Sequence, residues 1–290
     1  MKIAIASGKG GTGKTTVTAS LMSVWRSPAV AVDLDVEEPN LHLFLNPEIS
    51  ETIPANMEIP VVAEDKCTYC KKCSEICQFK AISVFGEVVM TFPEMCHGCG
   101  GCMMVCPEGA ITSGKRQLGE ISVGTALESP FFMGRLRVGE AMSPPLMRAT
   151  LAEMETRIDT NSRDILIDAP PGVSCPAVTA VMECDAVILV TEPTPFGVYD
   201  LKLAHEAFTK LDKPMGVVVN RAGIGDDAVY SFCRESNLPI LAEIPYDRSI
   251  AAAYSQGQIV AGVSETIGKI FESLAEKAKQ LAQAEDYCHA

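Results

Sequence analysis

No apolar run in this chain approaches the length of a membrane span, so a bilayer-crossing protein is not expected. Basic residues are scarce. Lys and Arg number 24 against 37 Asp and Glu, a formal net charge of −13 at pH 7. That balance argues against a nucleic-acid duplex or an anionic membrane as partner. Met1-Lys2-Ile3 runs directly into an apolar stretch of strand type, which leaves no room for a signal peptide and points to a cytoplasmic protein. Low-complexity stretches and long linkers are also missing. The final segment, from Ser264 to about Asp286, has one apolar helical face but no basic one. Glu265, Glu272, Glu276, Glu285 and Asp286 outnumber Lys269, Lys277 and Lys279. It is expected to pack on a sheet rather than bind lipid.

What is present is a large apolar fraction, 47%, in 290 residues, enough for one large domain or two smaller ones. There are 12 cysteines, eight of them between residues 67 and 106. In a chain of cytosolic character, such clustering points to metal ligation rather than disulfides. The scattered ones are Cys175, Cys184, Cys233 and Cys288.

Ile3 to Ser7 reads as a strand, and Val17 to Trp25 as a helix. Between them stands Gly8-Lys9-Gly10-Gly11-Thr12-Gly13-Lys14-Thr15-Thr16. A G-x-x-x-x-G-K-[ST] run in that context is a phosphate-binding loop. Its glycines let successive backbone N–H groups curl around a triphosphate at a helix N-terminus. Lys14 brings a positive charge to the β- and γ-phosphates, and the Thr15 hydroxyl can ligate Mg²⁺. A second short strand, Ala29 to Val32, ends at Asp33 and Asp35. Strand, helix, strand implies a parallel sheet, with these acids at the carboxyl end where such sheets bind ligands. Both also suit plain strand-end capping, Asp33 as readily as not. Pro39 to Phe44 reads as a short helix.

The cysteines fall in two runs, Cys67-x2-Cys70-x2-Cys73-x3-Cys77 and Cys96-x2-Cys99-x2-Cys102-x3-Cys106, each second-run cysteine 29 residues after its counterpart. This is an internal duplication. Zinc is the rival ligand, because C-x2-C pairs build zinc ribbons. A zinc site needs four ligands from two pairs and has no use for two four-cysteine runs. Cys106 is followed by Pro107 and Cys77 by Gln78.

Residues 57–62 read as a strand, and 114–143 as β-rich, with Ile121 to Val123 and Phe131 to Val138 prominent. A helix is expected from about Leu146 to Arg157. Asp164 to Asp168 is an apolar strand ending in an acid before Pro170-Pro171-Gly172. Further strands are expected at Ala186–Val190, Met215–Asn220 and Pro239–Ile244, with a helix from Phe196 to Leu211.

The loop with its additional Lys9 resembles the deviant Walker A motif of the MinD/ParA/nitrogenase-iron-protein ATPases. Asp33-x-Asp35 with Asn40-Leu41 resembles that family's switch I, and Asp168-x-x-Pro171-Gly172 its switch II. The resemblance implies Mg-ATP hydrolysis in a nucleotide-sandwiched homodimer. Lys9 would act across the dimer and Asp35 would orient the attacking water. Asp168 would hold Mg²⁺ through water, and the Gly172 N–H would sense the γ-phosphate. Asn220 matches the adenine contact, and Pro245 and Tyr246 match the loop flanking the base. The cysteine runs resemble bacterial two-cluster ferredoxins, in which the fourth cysteine of each run ligates the other cluster. On that pattern Cys67, Cys70, Cys73 and Cys106 hold one [4Fe–4S] cluster, and Cys96, Cys99, Cys102 and Cys77 the other. The flanks Lys80–Val84 and Gly109–Thr112 resemble the small strands of such ferredoxins.

The expected fold is therefore α/β: a P-loop NTPase with a mostly parallel sheet flanked by helices, formed by residues 1–62 and 114–290. A small α+β ferredoxin-like domain is inserted at 63–113. The expected function is an ATPase that gates electron transfer to an acceptor protein. A cluster carrier of the Mrp type is the alternative. Such carriers hold a labile cluster through a C-x-x-C shared across the dimer, and none follows residue 106 here. A positioning ATPase ranks third, because it gives the clusters no role. Cys175, three residues after Gly172, reads either as a redox or metal ligand or as a small buried apolar residue.

Overall fold

The structure, a computed structural model, describes residues 1–284. Cys288, Glu285 and Asp286, named above, lie outside the described residues. Contacts divide the chain into two units. One comprises residues 1–53, 121–135 and 147 onward, and the other 54–120 and 136–146.

The first unit is built on β1 (Lys2–Ala6), β2 (Ala29–Asp33), β8 (Asp164–Asp168), β9 (Ala186–Thr191), β10 (Met215–Ala222) and β11 (Ile240–Pro245). They run parallel in the order β11-β10-β9-β1-β8-β2. The central strands are apolar between their ends, as strands covered on both faces must be. Ile3, Ile5, Ala31, Leu166 and Ile188 are fully buried. On one face, α1 (Lys14–Val24) and α10 (Glu265–Gln283) join a single apolar core containing Val17, Leu21, Phe271 and Leu274. Sheet packing of the final helix is thus what the structure shows. Its N-cap Ser264 accepts a hydrogen bond from Ile267 N, which satisfies one otherwise unpaired donor.

Beyond β2 the order continues with β7 (Ser129–Leu136), β6 (Ile111–Ala126) and β3 (Glu48–Val62). β7 runs parallel to β2. Side-chain bonds from Ser50 to Val123 O and from Thr112 to Val61 O advance in opposite directions along β3 and β6, so those strands are antiparallel. β6 turns into β7 through Leu127 and Glu128, both at positive φ (48° and 60°), the requirement of a type I′ hairpin turn. Here the sequence reading fell short. The strand expected at 57–62 begins at Glu48, and β6 is one strand from 111 to 126 rather than a small strand with a separate one after it. Residues 48–52 are exposed, as at a sheet edge, so they carry no apolar alternation to read.

The second unit spans 54–120 and 136–146, wider than the insert expected at 63–113. Its centre holds α3 (Lys72–Ile76), α4 (Gly101–Met104) and the hairpin of β4 (Ile82–Phe85) and β5 (Val88–Thr91). Segment 136–146 is fastened to β6 by the buried Arg116–Glu140 ion pair, 3.1 Å. Glu140 also accepts from the Ala141 and Met142 N–H groups.

Candidate functional sites

In the first unit, β1 delivers the chain into the loop at 8–13, and α1 starts at Lys14. Gly11 and Gly13 take φ of 81° and 96°, where side chains other than glycine are strained. A Cβ on Gly8 would collide with the Asp200 backbone, and one on Gly13 with the Asn220 amide. The loop is therefore held between α7 (Pro195–Thr209), which carries Asp200, and the end of β10, which carries Asn220.

The loop borders a cavity of about 820 Å³, of the size that takes small-molecule ligands. Gly10, Gly11, Gly13, Lys14, Thr15, Thr16, Asp35, Asn220, Pro245 and Tyr246 line it, with Phe44 and Tyr254 among its apolar walls. Thr12 is buried, and its Oγ1 has no hydrogen-bond partner. A buried hydroxyl without a partner, among loop N–H groups and a buried Lys14, fits a bound phosphate.

The acids are tightly placed. Asp168 accepts from Thr15 Oγ1 at 2.7 Å and from Thr18 Oγ1 at 3.1 Å. Burial pushes its carboxyl upward against the pull of Lys14. Thr15 and Asp168 thus form a hydroxyl–carboxylate pair suited to a hard cation. Asp35 is raised from 3.8 to about 6, by burial first, with Lys14 opposing. Asp33 is fully buried and accepts from Asp35 N at 3.0 Å and Leu41 N at 2.9 Å. Burial, then the charge of Asp168, pushes it well above the usual carboxylate range. Asp33 is thus a clamp that fixes the Asp35 loop and the start of α2 (Leu41–Leu45). The sequence left its role open, because the partner at Leu41 lies eight residues on.

Three expected residues have partners that the sequence did not reveal. The Gly172 N–H donates to Ser7 O at 2.9 Å, so reaching a phosphate requires breaking that bond. The Asn220 amide donates to Thr12 O at 2.8 Å, and its oxygen accepts from Arg221 N. Asn220 therefore braces the phosphate loop while it lines the cavity. Lys9 Nζ lies 6.0 Å from the Phe196 ring centroid, within cation–π range. Of the scattered cysteines, Cys184 is buried and its thiol is pushed up to about 12, chiefly by burial, while Cys233 is likewise pushed to about 11. Both behave as small apolar residues. Cys175 is exposed at the first turn of α6 (Cys175–Val181).

In the second unit the 29-residue repeat appears as geometry. Tyr69 N donates to Cys67 Sγ at 3.4 Å, as Gly98 N does to Cys96. Ala81 N donates to Cys77 Sγ at 3.2 Å, and Ala110 N to Cys106 at 3.3 Å. The halves are also exchanged. Ala63 N donates to Ala110 O, and Phe92 N to Ala81 O, each at 2.8 Å. Residues before each run thus pair with residues after the other. Cys67, Cys70 and Cys73 share one cavity with Cys106 of the second run, walled by Val62, Val84, Val89 and Ile111. Burial, with Cys67 and Cys70 beside it, pushes the Cys73 thiol up, and Cys102 is shifted likewise among Cys96 and Cys99. Four thiols in an apolar pocket with N–H groups on their sulfurs fit an iron–sulfur cluster.

A strand, glycine loop and helix that face buried acids at the carboxyl ends of a parallel sheet define a P-loop nucleotide-binding protein. The chain belongs to the CobQ/CobB/MinD/ParA nucleotide binding domain family, whose profile matches residues 3–260. It is similar to the uncharacterized protein MJ0579 of Methanocaldococcus jannaschii, 31% identical over 268 residues, 89% of this chain and 90% of that one. It is 27% identical over 138 residues to a cytosolic Fe-S cluster assembly factor NUBP1 homolog of Caenorhabditis elegans, 40% of this chain and 44% of the relative. Among solved structures it superposes on the septum site-determining protein MinD of Pyrococcus horikoshii complexed with Mg-ADP. The TM-score is 0.60, with 22% identity and 99% of each chain covered, a likeness of fold. No helix of the described residues is long and apolar enough to cross a membrane.

Proposed function

We propose that this protein hydrolyses Mg-ATP and couples its nucleotide state to electron transfer through two [4Fe–4S] clusters held by the cysteine-rich unit. The observation that carries this reading is the meeting of Cys67, Cys70 and Cys73 with Cys106, from the other run, in one apolar cavity. The remaining set is Cys96, Cys99 and Cys102 with Cys77, by the same exchange between repeats. Such clusters supply one-electron storage.

The chain's own residues do the rest. Lys14 and the loop N–H groups bind the phosphates, and Thr15 and Asp168 would hold Mg²⁺. Asp35, fixed by Asp33, orients the attacking water. Lys9 reaches the nucleotide of a second copy in an ATP-bound homodimer. Gly172 exchanges Ser7 O for the γ-phosphate, a two-state contact that senses hydrolysis. β3 leads from the Asp35 segment directly into the cysteine-rich unit, so order imposed there is passed along the chain. The partner is a soluble redox acceptor, and a cytoplasmic location suits reduced thiols.

The test is anaerobic purification with iron and sulfide analysis, then EPR-monitored potentiometry without nucleotide, with ADP and with a non-hydrolysable ATP analogue. About eight irons per chain are expected. The midpoint should shift between nucleotide states by tens of millivolts to about a hundred, the equivalent of ~1–3 kcal/mol of coupling. By linkage, reduction then changes ATP affinity by the same factor. Identical midpoints together with identical affinities would remove the gating. A second reading, cluster carriage, draws support from the similarity to the NUBP1 homolog. It predicts transfer of the cluster to an apo-acceptor, whereas two complete four-cysteine sets favour retention.

A further inference from the structure

The two cysteine sites are built on one geometry but have different rims. Thr68, Lys71 and Glu108 line the cavity of Cys67, Cys70, Cys73 and Cys106. Twenty-nine residues away in the repeat, their counterparts are His97, Gly100 and Phe79. The rim of the first site is thus hydroxyl, ammonium and carboxylate, and that of the second is imidazole, glycine and phenyl. The two rings are in contact. Phe79 stacks on His97 with centroids 3.4 Å apart and planes 11° from parallel. One ring is carried directly after Cys96 and the other two residues after Cys77, both ligands assigned to the second site. Phe79 remains 43% exposed, so the stack lies at the surface rather than in the core.

We propose that the Phe79–His97 stack is a lid on the second cysteine site, and that it makes the two sites inequivalent. The inference rests on the two-cluster reading above. Its chemistry is simple. A cluster becomes more negative when reduced, and water or a nearby ammonium stabilises that added charge. At the first site the matching places hold Thr68 and Glu108, so no pair of rings covers it. At the second, the two stacked rings keep water from that side of the site. The first site therefore has the higher potential and yields its iron to a chelator sooner. The second has the lower potential and is protected.

The experiment uses the full chain, purified anaerobically with its clusters. The second rim is opened in the double variant Phe79→Ala with His97→Thr. Phe79→Ala alone serves should the double variant fold poorly. EPR-monitored potentiometry and the time course of iron removal by a ferrous chelator are the readouts. Wild type should show two midpoints and biphasic iron loss. Opening the second rim, by the double variant or by Phe79→Ala, should raise the lower midpoint and leave the higher in place. The double variant should change the reduction equilibrium roughly tenfold, about 59 mV for one electron, and the slow phase of iron loss should disappear. Coincident wild-type midpoints, or opened variants that leave the lower midpoint and slow phase untouched, would overturn the lid while leaving the clusters in place. A chain with no iron and sulfide would overturn the parent reading and the lid together.

Discussion

The two halves of the cysteine repeat reach the same backbone with different residues. In the second half the left-handed positions are Gly98, Gly100 and Gly109, at φ of 66°, 71° and 57°. In the first half the same places hold Tyr69, Lys71 and Lys80, at 53°, 65° and 55°. Glycine adopts that region freely, whereas an L side chain meets a steric penalty. The second half is relaxed and uncharged at these points; the first is strained and carries two ammonium groups. What the duplication preserves is the path of the N–H groups to sulfur, not residue identity. The phosphate loop solves a related problem, aiming N–H groups at an anion, and uses glycine at both its left-handed positions.

The comparison is broken most severely by removing a ligand. Cys106→Ser should abolish the cluster of Cys67, Cys70 and Cys73, although Cys106 belongs to the other run. Loss of about half the iron is expected, with the EPR signal of the surviving cluster intact. Damage confined to the set of Cys96, Cys99 and Cys102 would mean that the halves do not exchange ligands. The phosphate loop should fail as sharply for an electrostatic reason. Lys14→Ala leaves the phosphate charge without its buried partner, and should weaken ATP binding by about 2–5 kcal/mol. Calorimetric titration reads this directly; near-normal affinity would mean that the loop N–H groups suffice.

The phosphate loop differs from the cysteine loops in facing acids, and this gives it a pH signature. Asp35 titrates near 6 in the folded chain against 3.8 for an ordinary carboxyl. The folded state therefore holds its proton more tightly than the unfolded state does. The contribution of Asp35 to the stability of the nucleotide-free protein should fall as pH rises from about 4 to 6 and then level off. Because Asp35 is partly exposed, solvent screening reduces the effect to about 1–2 kcal/mol. Asp35→Asn should flatten that part of the curve in denaturant titrations across pH, and should retain ATP binding while slowing turnover. An unchanged pH slope would place the titration elsewhere.

Much of this was legible in the sequence, for identifiable reasons. The phosphate loop and the cysteine register are short-range patterns, and a strand such as Ala186 to Val190 declares itself by unbroken apolar character. What was not legible depends on distant pairing. Asp33 became a clamp only when α2 placed Leu41 N within reach, and Asn220 a brace only when β10 came beside the loop. The edge strand β3 hid because its exposed half has polar residues on both faces. The left-handed positions of the first repeat were readable only by subtracting 29 from the glycines of the second.

Those positions give the next test. Gly100→Ala puts a side chain at φ of 71° and should cost ~1–2 kcal/mol. Lys71→Gly relieves the same strain at the matching place. The gain is offset by glycine's greater freedom in the unfolded chain, so a smaller change, up to about 1 kcal/mol of stabilisation, is expected. Chemical unfolding of both variants checks the pair. Equal and small effects would mean that the two loops tolerate side chains alike, and that the relaxed-versus-strained distinction fails.

The smallest effect lies outside the repeat, where the same rule can be tried without any ligand nearby. The turn between β6 and β7 places Leu127 and Glu128 at φ of 48° and 60°. A type I′ turn favours Asn-Gly, because asparagine tolerates the left-handed region and glycine has no penalty there. Leu127 is also 47% exposed, so replacing it sacrifices little buried apolar surface. The double variant Leu127→Asn with Glu128→Gly should therefore stabilise the chain by about 0.5–1 kcal/mol, once the added backbone freedom of glycine is set against the relieved strain. For a chain of this size that is a rise of roughly 1–4 °C in Tm. The turn lies far in sequence from the phosphate loop and the cysteine runs, so iron content and ATP affinity should not change. A fall in Tm would show that Leu127 packs more usefully than its exposure suggests, and that left-handed strain is a weaker guide in this chain than the cysteine repeat implies.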